Sequence, residues 1–182
     1  MLGIGLIALP VMASDGVHLH ETLEHYPIDG DNARQWHAAM QVHGPRDLVS
    51  GRAYSGFTRW YVTWSWDTYP LKDGECQVGG YQVRIELKMQ LPEWTGRSEA
   101  SAGLRREWDA LYGRLRDHED LHRANALAAP HALDGMLADM DEPIPCAGSR
   151  KRIDRAARDL LSRFHEADRR LDRETRHGRI AP

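Results

Sequence analysis

The chain carries His118, Glu119 and His122 in the order His-Glu-x-x-His. On a helix, residues four apart lie one turn apart on the same face, so both imidazoles can address one cation. Glu119 is turned by about 100° around the axis and would sit beside such an ion. There it can take a proton from a water that the metal activates. Zinc suits this chemistry because it brings the pKa of a bound water to about 7. Both histidines must be neutral to bind, so acid should release the metal.

The short pattern also arises on charged helices that bind nothing. Its placement favours the metal. Leu104, Trp108, Leu111, Leu115, His118 and His122 form one continuous stripe at helical spacing. The histidines thus extend an apolar face into a buried position. Burying unpartnered polar groups costs a few kcal/mol, and a metal is the simplest partner; the alternative is a pair of hydrogen-bonded core histidines.

A catalytic zinc usually has three protein ligands and one water. The extended motif with a further Gly and His is absent, because Asn125 and Ala128 stand in those positions. Glu142 follows His122 at a suitable distance but precedes Pro143, which disfavours helix. His131 follows Pro130, which leaves its direction open. His177, directly after the last helical stretch, is the remaining candidate.

The elements that must position these residues read as strands first and helices later, which predicts an α+β fold. Residues 17–28 alternate in part and predict a strand. Asp31 or Asn32 can cap a short helix that Gly44-Pro45 would end. In 57–66, Thr58, Trp60, Val62, Trp64 and Trp66 share one side; in 81–91, Val83, Ile85, Leu87, Met89 and Leu91 do. Two such strands around a turn-rich segment predict an antiparallel hairpin with one wet face. The tryptophans are expected in the core. Pro92 is expected to end the second strand. A helix is expected from Ser98 to about Ala129, interrupted by Pro130, with a short second helix after it. In the last helix, 150–174, Ile153, Ala157, Leu160, Phe164, Ala167 and Leu171 form the apolar stripe. Its charges of both signs are interspersed and predict a solvated face.

Composition bounds the rest. The chain has 182 residues, 41% hydrophobic and 28% charged, which suits one domain over 14–182. The net charge of -3 argues against a nucleic-acid binder. No apolar run is long enough for a stable membrane span. Residues 1–13 are apolar and end with small residues at the spacing of an export signal, although they contain no basic residue. Export points to a secreted or periplasmic location, and Cys76 and Cys146 then suit one disulfide.

The combination of these features resembles a bacterial family described both as secreted zinc-dependent proteases and as a domain of unknown function. The similarity runs from Tyr54 to Gly178. It includes Thr58-x-Trp60-x-Val62-x-Trp64, Cys76, Leu91-Pro92-x-Trp94, the Trp108 helix with His118-Glu119-x-x-His122, Cys146, and Asp172-x-x-Thr175-x-His177-Gly178. Leu171 stands where members often have an aromatic residue. The resemblance implies His118 and His122 as zinc ligands, Glu119 as general base, and His177 as third ligand ahead of Glu142 and His131. It also implies Asp172 and Thr175 as groups that orient the ligands. The expected fold is zincin-like, with a small antiparallel sheet on the metal helix and the last helix closing the site. The expected function is a zinc metallopeptidase acting on peptide or protein. The alternatives are an exported metal-binding protein without catalysis and a zinc amidase acting on cell-wall peptide.

Overall fold

A computed structural model describes residues 16–47, 51–140 and 142–177. The expected export signal, 1–13, lies outside the described residues. Strand β1 (Val17–Ile28) leads into helix α1 (Ala33–His43), then β2 (Phe57–Pro70) and β3 (Glu75–Trp94). Helix α2 (Ala102–Ala138), the two-residue strand β4 (Ile144–Pro145) and helix α3 (Ser149–Thr175) complete the α+β fold.

The sheet runs β1-β3-β2, with β4 on the start of β3. The β2–β3 pair is the expected antiparallel hairpin, but its strands reach further than the alternation suggested. Pairing continues to Pro70↔Cys76 through a register shift between Ser65 and Asp67. Strand β1 joins the other side of β3 in parallel, so the sheet is mixed, not the antiparallel sheet expected. The hairpin reverses β2 into β3, and β3 therefore runs in the direction of β1. Nothing in the local pattern of β1 specifies that.

Strand β3 is the central strand. Val83, Ile85, Leu87, Met89 and Leu91 are buried, while Arg84, Glu86 and Lys88 are exposed. The buried side packs on α2 and, with Trp60 and Trp66, meets Ile153, Ala157 and Leu161 of α3. A second cluster joins Trp36, Trp94 and Trp108 edge to face. These large aromatics are core residues, as expected. The Cys76–Cys146 disulfide ties the start of β3 to the loop before α3.

Two prolines do not act as expected. Pro92 lies inside β3, opposite Tyr26 of β1. The last β2 partner is Gln90, so on that side β3 has become an edge, where proline is tolerated. Pro130 lies inside α2, which continues to Ala138. Pro130 is itself fully buried, and Ala126, Ala129 and Leu133 around it have no exposed surface. Packing of that segment offsets the missing backbone hydrogen bond, whose loss normally kinks a helix.

Helices α1 and α2 both start on a side-chain cap, and α2 begins at Ala102, not at the expected Ser98. Asn32 accepts from the Gln35 N–H at 3.1 Å to start α1, and Ser101 does the same for Leu104 to start α2. Each satisfies one orphan donor of a first turn.

Candidate metal centre

Helix α2 brings His118, Glu119 and His122 to the sheet side, with 3%, 3% and 7% of their surfaces exposed. Helix α3 runs beside it and supplies Asp168, Asp172 and Thr175. The start of β2 supplies Thr58. The stripe of α3 that packs inward differs from the expected one: Leu161 is buried and Ala167 is exposed. From Leu161 the same face passes through Phe164 and Asp168 to Asp172 and Thr175, again at helical spacing.

Three atoms converge between these helices. His118 Nε2 and His122 Nε2 are 3.2 Å apart, and Asp172 Oδ1 lies 3.3 Å from each. The opposite ring nitrogens are committed. His122 Nδ1 lies 2.9 Å from Asp168 Oδ1, and a carboxylate can only accept, so this nitrogen carries hydrogen. His118 Nδ1 lies 3.2 Å from Thr175 Oγ1. The Thr175 hydroxyl donates its hydrogen to the Leu171 carbonyl at 2.8 Å, so it accepts from the imidazole. With neutral rings, both Nε2 atoms then present lone pairs.

Three lone-pair donors facing one another repel unless a proton or a cation lies among them. The metal-free electrostatics express the same demand. Burial pulls the His122 pKa down, but hydrogen bonds to Asp168 and Asp172 and the charges of Glu119 and Asp172 outweigh it and push it up to about 10. Burial pushes Asp172 up, yet its bonds to His118 and His122 hold it well below the usual carboxylate range. The dimensions fit a metal: around a tetrahedral zinc with bonds of about 2.0–2.1 Å, ligand atoms stand about 3.3 Å apart. Two imidazoles and one carboxylate also suit other divalent transition ions.

Glu119 lies beside this triangle. Its Oε2 accepts from Thr58 Oγ1 at 2.8 Å. Burial raises its pKa, against the lowering effects of Thr58 and the two histidines. A side chain at Gly56 would place a Cβ 2.7 Å from Glu119 Oε1 and 2.9 Å from Leu115 Cδ1. Only glycine lets the chain entering β2 pass this close to the carboxylate.

His177 stands one contact away from the triangle. Its Nδ1 is 2.9 Å from Asp172 Oδ1, and its ring meets Tyr54 edge to face. Arg176 and His177 both have left-handed backbone, φ 51° and 56°, and the N–H of each bonds to Asp172 O. Each such residue costs on the order of 1 kcal/mol or more. Together they fold the end of α3 back over Asp172. His131, on α2, and Glu142, in the loop before β4, are both exposed and lie outside the cluster.

Asp168 is a residue of the cluster that the motifs do not announce. Besides His122, it accepts from the Trp60 indole at 2.8 Å and from Asn125 Nδ2 at 2.8 Å. The signal was present: Asp168 continues the Leu161–Phe164 face, and an acid on an inward stripe needs a partner. Asp172, expected as an orienting group, provides the third corner of the triangle.

The fold and site define an α+β protein with a His-His-Asp cluster, its histidines buried and its aspartate half-buried, able to hold a divalent ion, in a cleft of about 200 Å³. The chain belongs to the family described as bacterial protein of unknown function (DUF922), whose model matches residues 23–178 and so includes every residue of the site. No curated protein and no solved structure matches it. No helix among the described residues is long and apolar enough to cross a membrane.

Proposed function

We propose that this protein is an exported, zinc-dependent peptidase with a zincin-like site. The observation that carries the reading is the convergence of His118 Nε2, His122 Nε2 and Asp172 Oδ1 at 3.2–3.3 Å beside the buried Glu119 carboxylate. A structural zinc is normally closed by four protein ligands, whereas a catalytic one keeps a position open. Three donors in a cleft, with an unused acid next to them, favour catalysis over a purely structural ion. The disulfide supports an oxidising, extracytoplasmic compartment.

When bound, a zinc ion at this cluster supplies Lewis acidity to a peptide carbonyl and lowers the pKa of water. The chain's own residues supply the rest. Asp168 and Thr175 hold the two imidazoles with Nε2 inward. Thr58 fixes one oxygen of Glu119 and leaves the other to take the proton of the attacking water and return it to the departing amine. Burial of Glu119 raises its basicity toward the working pH, which general-base catalysis requires. His177, held at Nδ1 by Asp172, can donate through Nε2 to the developing oxyanion when its ring carries both protons.

The test is Glu119→Gln on zinc-loaded protein with unfolded casein as substrate. Zinc content should stay at one equivalent while cleavage falls by about 10²–10⁴-fold. Undiminished cleavage would remove Glu119 as the base.

A further inference from the structure

The site cleft does not end at the metal cluster. A second cleft, of about 450 Å³, adjoins it and shares Ser55 and His177 with it. Its floor is apolar, made by Met40 of α1 and by Leu111 and Leu115 of α2. Its polar lining is uneven in charge. Arg114, His37 and His177 line it, and no carboxylate does. Neither Arg114 nor His37 has a hydrogen-bond or ion-pair partner among the described residues. Three other arginines are already paired with carboxylates: Arg97 with Asp109, Arg116 with Asp120, Arg123 with Glu21. In a chain of net charge -3, a cleft lined by an arginine and two histidines without a carboxylate is a local reversal of sign.

Arg114 also stands at a useful distance. It precedes His118 by four residues, so it lies on the same face of α2, about 6 Å along the axis. A peptide whose scissile bond is at the cluster would place a neighbouring residue over this cleft. That residue would meet an apolar floor and a guanidinium, the fork of donors that matches a carboxylate in two hydrogen bonds.

We propose that this cleft is a substrate subsite for a carboxylate carried on an apolar stem, with Arg114 as the residue that sets the preference. The proposal rests on the peptidase reading. The carboxylate can come from an acidic side chain or from the free end of the peptide chain.

The experiment uses four matched eight-residue peptides built from alanine and leucine. They contain or lack one central glutamate, and they end as a free acid or as an amide. Binding to zinc-loaded, hydrolysis-impaired Glu119→Gln protein is measured by calorimetry, alone and with Arg114→Ala or Arg114→Glu. Arg114 is exposed, and both variants should keep the parent's circular dichroism spectrum. The peptides with a carboxylate should bind at least tenfold more tightly than the neutral one. Arg114→Ala should abolish that difference, and Arg114→Glu should invert it. Tight binding of the glutamate amide assigns the source to a side chain; tight binding of the glutamate-free acid assigns it to the chain end. Equal binding of all four peptides, binding of none, or an unchanged preference in Arg114→Ala would overturn the subsite. Failure of the peptidase reading would show separately, as casein left intact by fully zinc-loaded wild type, whatever the binding preference.

Discussion

The Trp60 indole donates to Asp168 Oδ2 at 2.8 Å, while the other oxygen of Asp168 holds His122 Nδ1 at 2.9 Å. The central hairpin is thus wired to a candidate metal ligand through one carboxylate. The His165 ring stacks on the same indole at 4.0 Å, which further fixes its orientation.

Removing this link should loosen the metal without unfolding the protein. Asp168→Asn should lower zinc affinity by about 10–100-fold, the usual cost of losing a group that orients a ligand histidine. Trp60→Phe should shift affinity in the same direction by less. Competition with a chromophoric chelator measures both, and unchanged affinity in Asp168→Asn would deny it the positioning role.

His177 separates two readings of the chain end. In the geometry here it contacts Asp172, not the two histidines. His177→Ala should therefore keep zinc while turnover falls by about 10²–10³-fold, as for loss of an oxyanion donor. Loss of zinc from that variant would instead return His177 to the ligand set. His131→Ala and Glu142→Gln should alter neither property.

Metal-free protein should lose stability as pH rises where metal-loaded protein does not. The His122 pKa rises on folding from 6.5 to about 10. Without metal, its stabilising effect is complete below about pH 6.5 and fades as pH rises toward 10. Asp172 is depressed, so its contribution holds above the ordinary carboxylate range and is lost as pH falls below it. With zinc in excess, the ion must displace the His122 proton, so stabilisation by binding grows with pH over the same window. Thermal melts between pH 6 and 9, with chelator and with zinc, should therefore diverge. Parallel curves would contradict the assigned proton at His122.

Reduction of Cys76–Cys146 should cost roughly 4 kcal/mol in the chain-entropy model, given the separation of 70 residues. The disulfide touches none of the cluster residues. Denaturant titration with and without reductant reads the loss, while zinc stoichiometry of the reduced, still folded protein should be unchanged. Loss of zinc on reduction would show that the α3 connection holds the site in place.

The sequence made visible whatever depends on local periodicity. His118, Glu119 and His122 declared themselves by spacing, and the β2–β3 hairpin by alternation. Asn32 and Gly44 bounded α1 through capping chemistry. What stayed hidden depended on partners distant in the chain. The parallel docking of β1 is decided by the direction of β3, not by residues 17–28. Pro130 and Pro92 read as breaks because their surroundings, a buried alanine-rich face and a vacated sheet edge, are tertiary. Asp168 was hidden for a subtler reason. The apolar stripe of α3 could be drawn through Leu160 and Ala167 or through Leu161 and Asp168, and only the neighbouring helix chooses between them.

The most direct test is metal analysis of wild type and Asp172→Ala, both purified without added metal and then titrated with zinc. One tightly held divalent ion per chain in the wild type, and at least a hundredfold weaker binding in the variant, is the result this account predicts. A folded wild type that takes up no metal, or an Asp172→Ala protein of undiminished affinity, would contradict it.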